Sequence, residues 1–328
     1  MVRILHRRGD GTLDASLAAG GIAAALADPR SLLWVDFLDE PRESCELVLR
    51  DTFGFHPLAI DDAIQQSHVP KIDDWDSYLY LVLHAVSFRA ESDPPLATHE
   101  LDIFAGRTYI VTLHDQAIEP LDKVWASCLR DERVAGRQAT RLLYHLIDEL
   151  VAGHLPVVDA IDEQVEAIEE QILSHPSPST LQQVLAMKRA LMHLRRIIAP
   201  QREVLNKLAR DEFAVIEKAS RVYFRDIYDH LVRLYDITEG MRDLAAGALD
   251  TYLSVINNRM NEVMKTFTLI TTLFMPISFL TGFFGMNFFQ PAATAPAWTG
   301  RISFWIVCAA VVAVPALMYL WLKRRRWV

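Results

Sequence analysis

Cysteine is scarce in this chain: three in 328 residues, Cys45, Cys128 and Cys308, all far apart. That spacing excludes a disulfide framework and leaves them as small buried apolar residues. There is no Cys-x-x-Cys, and the eleven histidines contain no pair at i, i+4, so no closed zinc cage is written into the sequence. A phosphate-binding lysine loop, a Gly-x-Ser-x-Gly elbow and a dinucleotide fingerprint are also missing. These absences argue against an ATP-driven machine and against the common hydrolases and oxidoreductases, so an enzyme is not expected. A net charge of −9 makes nucleic acid a poor partner.

Charge itself is missing from two stretches. Thr266–Phe284 has no charged residue in 19 positions, and Ile302–Leu322 has none in 21. Each is long enough to cross a hydrocarbon core about 30 Å thick. Arg259 and Lys265 flank the start of the first run, and Lys323–Arg326 follow the second. Basic flanks mark the cytoplasmic side, so both termini are expected inside a cell inner membrane, with 285–301 as an outer loop. The start, MVRILHRRGDG, lacks the apolar core of a secretory signal, which agrees with that topology. The basic tail, 323–328, is placed to touch anionic lipid headgroups. Gly285-Met286-Asn287 stands at the outer end of the first run. Polar backbone there either leaves the bilayer as a turn or lines water or protein.

Residues 1–140 mix two periodicities and predict a cytoplasmic α/β domain. The segments 32–39, 78–88, 100–105 and 108–115 are rich in β-branched and aromatic residues, with Gly106-Arg107 as a tight turn between the last two. HPLAIDDAIQQ (56–66) reads as a helix with Pro57 in its first turn. From 141 the pattern is helical. Asp159, Asp162, Glu163, Glu166, Glu169 and Glu170 make one segment acidic, and SHPSPST (174–180) breaks it. The next segment, 181–210, holds Lys188, Arg189, Arg195, Arg196, Arg202, Lys207 and Arg210 against one acid, Glu203. The expectation for 141–220 is an antiparallel hairpin aligned by opposed charge.

The segment 221–284 reads as one stalk helix that continues into the first membrane span. Ile227, Leu234, Met241, Ala248 and Val255 recur at heptad spacing, with Leu231, Thr238, Ala245, Tyr252 and Arg259 four residues after each. The small and polar members predict a wide helical bundle rather than a tight dimer. Further along, Asn261, Met264, Phe267, Thr271, Met275 and Ser278 are spaced by three or four and share one side of the helix. Spacing alone allows packing, lipid contact or a pore.

HPLAIDD (56–62), PKID (70–73), YFRDIYDH (223–230), NEVMK (261–265), MPISFLTGFFGMNF (275–288) and the tail KRRRW together make the chain resemble the CorA family of divalent cation transporters, over nearly its whole length. The resemblance implies a funnel-shaped homopentamer. Its first span would line a central pore, and the second span, 302–322, would form an outer ring. It implies that Asn261, Met264, Phe267, Thr271, Met275 and Ser278 face the pore, and that Gly285, Met286 and Asn287 form the selectivity filter. Side-chain amides suit Mg2+, which dehydrates reluctantly, and apolar rings gate by dewetting.

The resemblance also implies regulatory metal binding at Asp61, Asp62 and Asp226, carboxylates that a hard divalent cation would bridge. Acids near the start of a helix equally serve its dipole. Mg2+ and Co2+ are the first expectation for the ion. The outer loop FFQPAATAPAWTGR carries no acid, and Phe267, Ser278 and Phe284 depart from the magnesium branch. Those departures keep Zn2+ or Ni2+, as in the ZntB-like branch, as the alternative, with proton coupling. A metal-sensing receptor that does not conduct is the reading from another class.

Overall fold

The computed structural model describes residues 1–65, 69–131, 138–285 and 301–325. The chain divides into two compact units, Met1–Tyr252 and Leu253–Val328.

In the first unit a seven-stranded sheet has the order β2-β1-β3-β7-β6-β5-β4. Its strands are β1 (Val2–Arg7), β2 (Leu13–Asp14), β3 (Leu32–Leu38), β4 (Lys71–Asp74), β5 (Leu79–Phe88), β6 (Leu96–Ala105) and β7 (Tyr109–His114). Only β3 and β7 pair in parallel; the other pairs are antiparallel. β3 is apolar along most of its length because it lies mid-sheet with both faces covered. The four expected strands form. β1, β2 and β4 were not expected: they are short or charged, and pairing rather than propensity makes them strands. The turn at Gly106 closes with its N–H donating to the Tyr109 carbonyl at 2.9 Å.

One sheet face packs Leu33, Val35, Phe37, Tyr80, Val82 and Phe104 against α1 (Ile22–Leu26), α2 (Arg42–Leu47) and α3 (Pro57–Gln65). Phe55 anchors this core, stacked on Phe104 at a centroid distance of 4.3 Å.

The opposite register of β3 carries Trp34 and Asp36, which meet α4 (Glu119–Arg130). Asp36 is fully buried and accepts from Thr112 Oγ1 at 2.5 Å, His114 Nε2 at 3.1 Å and Arg3 Nε at 2.6 Å. Arg3 reaches on to Asp122 at 2.7 Å and lies over the Trp125 ring. This network joins β1, β3, β7 and α4.

Three helices follow: α5 (Ala139–Ala152), α6 (His154–Ser174) and α7 (Pro178–Arg210). The break between α6 and α7 falls where the prolines predict it. Ser177 caps α7 through a reciprocal capping box with Thr180, and Pro178 occupies the first turn. The charge argument for the hairpin needs correction. Among the described residues no ion pair joins α6 to α7. Their contact is apolar, with Ile161, Val165, Ile172, Val184, Leu191 and Leu194 all buried. The basic side of α7 turns instead to α8 (Arg221–Gly285): Arg195 pairs with Glu239 at 2.8 Å, and Arg202 lies over Tyr235. Burial outweighs exposed ion pairs, which contribute about 0–1 kcal/mol each.

His154, at the first position of α6, is wholly buried; its Nδ1–H donates to the Leu150 carbonyl at 2.9 Å. Burial pushes the ring down to about 4 from an ordinary 6.5. The stability tied to its neutral form is complete above about pH 6.5. It is lost as pH falls toward 4, by on the order of 3 kcal/mol. The unfolding midpoint of the full chain is therefore expected to fall over that window, and less so in His154→Leu. Equal pH slopes in both proteins would exclude His154 as the cause.

The 65-residue α8 begins in the first unit and ends in the second. The heptad stripe is buried from Ile227 through Tyr252 and then stops: Val255 is half-buried and Arg259 exposed. α8 runs through Pro276 without a break. The second apolar run forms α9 (Arg301–Arg324).

Candidate transport helix and cation sites

The described residues contain two helices long and apolar enough to cross a membrane, the end of α8 and α9. On α8, Asn261, Met264, Phe267, Thr271, Met275 and Ser278 fall on one side and are all exposed on the chain. Met264, Phe267 and Met275 are 59%, 64% and 70% exposed. Such a face is too apolar to be left in water, so lipid or further protein must cover part of it.

Hydroxyls on this helix satisfy themselves locally. Thr271 Oγ1 donates to the Phe267 carbonyl at 2.9 Å, and Thr268 to Met264 at 2.8 Å. Each keeps lone pairs free to accept from water while adding no charge. α8 ends at Gly285, where an added Cβ would meet nothing within 4 Å among the described residues. Met286 and Asn287 lie outside the described residues.

The three acids expected to bind a regulatory cation are all exposed; two lie on α3 and one on α8. Asp61 and Asp62 sit past the first turn of α3, so the helix-dipole account of them is overturned, since that effect fades beyond the first turn. Asp226 lies near the start of α8. Burial, followed by the charges of Asp148 and Asp226, pushes the Tyr144 phenol upward. Among the described residues, no three metal-ligating side chains gather in one place.

Sequence reasoning missed Lys71, which was visible only as part of PKID. Its ammonium donates to Asp62 Oδ2 at 2.5 Å, contacts Asp73 Oδ2 at 3.0 Å and lies 5.0 Å from the centre of the Tyr80 ring. The alternation of β4 puts Lys71 and Asp73 on one face, and α3 brings Asp62 to it. Only the fold reveals the pairing, because Asp62 and Lys71 belong to different elements.

The fold thus joins a unit of α/β sheet and helices to a helix that ends in a membrane-length apolar segment, with a second such helix after it. The chain belongs to the CorA family: residues 30–324 match the family model described as CorA-like Mg2+ transporter protein. It is 31% identical over 302 residues to the cobalt/magnesium transport protein CorA of Thermotoga maritima, covering 92% of this chain and 84% of that one. It is 24% identical over 313 residues to the zinc transport protein ZntB of Yersinia pseudotuberculosis, covering 94% and 93%. The fold matches the complete structure of the CorA magnesium transporter from Methanocaldococcus jannaschii, with TM-score 0.83 and 22% identity, covering 99% of this chain and 98% of that one. These relatives are transporters of divalent metal cations, and their names divide between magnesium or cobalt and zinc.

Proposed function

We propose that this chain is the subunit of a homopentameric, channel-like transporter for hydrated divalent cations, Mg2+ or Co2+ first. The observation that carries the reading is α8. One helix begins in the soluble unit and ends at Gly285, and over its last 19 residues before Gly285 it presents no charge. Such a face holds no ligand that would strip a cation of its water. The amide of Asn287 would bind the hydration shell, and Met264, Phe267 and Met275 would form the apolar constrictions.

A divalent ion gains about 4.6 kcal/mol per 100 mV of inside-negative potential, so no ATP site is needed. With both termini in the cytoplasm, Asp61, Asp62 and Asp226 would meet across subunits. A bridging cation would hold the closed state, and its loss would let the stalks move. The acid-free segment 288–301 favours a second reading, a ZntB-like zinc or nickel carrier coupled to protons.

Flux into liposomes of purified protein separates the readings. Mg2+ and Co2+ flux that follows the imposed potential is the expected result. Zn2+ flux that rises with a proton gradient, without Mg2+ flux, would establish the second reading. Absence of flux for every ion would favour a metal-sensing receptor that does not conduct.

A further inference from the structure

We propose that Lys71 is a tethered competitor for the regulatory divalent cation, and that it sets the concentration at which that cation binds. This rests on the reading of Asp62 as a regulatory ligand. The geometry supplies the competition. Lys71 Nζ stands between Asp62 Oδ2 and Asp73 Oδ2, at 2.5 and 3.0 Å, and lies 5.0 Å from the centre of the Tyr80 ring. An ammonium at those distances uses the same oxygen lone pairs that a hard cation requires at about 2.0–2.1 Å for Mg2+. A divalent ion can coordinate the Lys71-facing oxygen of Asp62 only after the ammonium withdraws.

Lys71 can withdraw. Its side chain is 28% exposed, and both acids are more exposed still, so the freed ammonium is rehydrated at small cost. The ammonium also offsets the charge of Asp62 while it is bound. The lysine pKa is raised: burial lowers it, but the hydrogen bonds and charges of Asp62 and Asp73 outweigh that effect. Lys71 therefore stays cationic throughout the physiological range, and the competition is one of cation against cation rather than a pH response. The device makes the site insensitive to low divalent concentrations and responsive once the ion is abundant.

The test is the Mg2+ midpoint for protection of the full-length protein from protease, measured in detergent micelles. Lys71→Met keeps the apolar stem and removes the charge, and is expected to lower the midpoint about fivefold, the scale of one partly exposed ion pair. Lys71→Arg should remain within about twofold of the parent. Lys123→Met removes a lysine that has its own partners, Glu119 and Glu149, and should not shift the midpoint. An unchanged or raised midpoint in Lys71→Met would overturn the proposal, as would an equal shift in Lys123→Met. Where Lys71→Met lowers the amount of folded protein, Lys71→Gln gives the same comparison. Asp62→Asn separates the two layers. If that change leaves the midpoint untouched, the regulatory reading of Asp62 fails. If it raises the midpoint while Lys71→Met does nothing, the reading stands and only the competition fails.

Discussion

Replacing Asn287 by Ala is expected to abolish divalent cation flux in the liposome assay while leaving the protein folded and assembled. In the sequence the residue comes two positions after Gly285, the last residue of α8. If hydrated ions are selected there, its amide is the group that accepts from and donates to their water. Alanine offers neither, and an ion arriving at an apolar mouth would have to shed part of its shell. Magnesium does this reluctantly. A loss of about a hundredfold or more in rate corresponds to about 2.7 kcal/mol, the scale of one or two charge-assisted hydrogen bonds. Retention of even a tenth of the parental flux would remove Asn287 from selection and return Gly285-Met286-Asn287 to the role of a turn. The control is the Mg2+ dependence of protease protection, which should be unaffected because Asp61, Asp62 and Asp226 are untouched.

Asp36→Ala is expected to lower the stability of the soluble unit by roughly 3–5 kcal/mol, the cost of leaving a buried charged partner uncompensated. Three donors converge on this carboxylate, and all would lose their acceptor. Burial alone would raise the carboxyl pKa; the hydrogen bond and charge of His114, then Thr112 and Arg3, reverse that and hold it below the ordinary carboxylate range. Burial would likewise lower His114, but the hydrogen bond and charge of Asp36 and the Gln116 carbonyl raise it above 6.5.

The two signs define a window. The Asp36 contribution is present above about pH 3.8 and is lost as pH falls through its depressed value. The His114 contribution is complete below about 6.5 and is lost as pH rises through its elevated value. His154 works against His114, since its contribution fades below 6.5. Removing Asp36 should therefore abolish the alkaline loss and leave the acid loss due to His154. Tryptophan fluorescence of full-length protein can follow this, because Trp34 and Trp125 lie 4.9 Å apart beside the network. A destabilisation below about 1 kcal/mol, or an unchanged alkaline slope, would contradict this account.

Some of this was legible before any fold was known. Strands β3, β5, β6 and β7 announce themselves because buried strands need β-branched and aromatic residues on both faces. The end of α6 is written in its prolines, and the buried stripe of α8 in its heptads. Pro200 and Pro276 each remove a backbone donor, yet α7 and α8 continue through them, in keeping with the reading of 181–210 and 221–284 as unbroken segments. Around Pro200 the buried side chains Ile197, Ile198, Gln201 and Val204 hold the helix against its neighbours and offset a cost of about 3 kcal/mol. The opposed charges of α6 and α7 misled: among the described residues no ion pair joins the two helices, because long charged side chains on exposed faces choose partners from the whole fold.

The membrane spans, the helix leading into them and the family to which the chain belongs follow from the sequence alone. Each depends on contiguous residues: apolar length against bilayer thickness, helical period, and motifs in a fixed order. The order of the sheet, the burial of Asp36 among Arg3, Thr112 and His114, and the capture of Asp62 by Lys71 were decided only by tertiary structure. Those contacts join residues separated by up to 78 positions. Which distant charge meets which depends on strand pairing and on how helices settle over the sheet, and no local pattern carries that information.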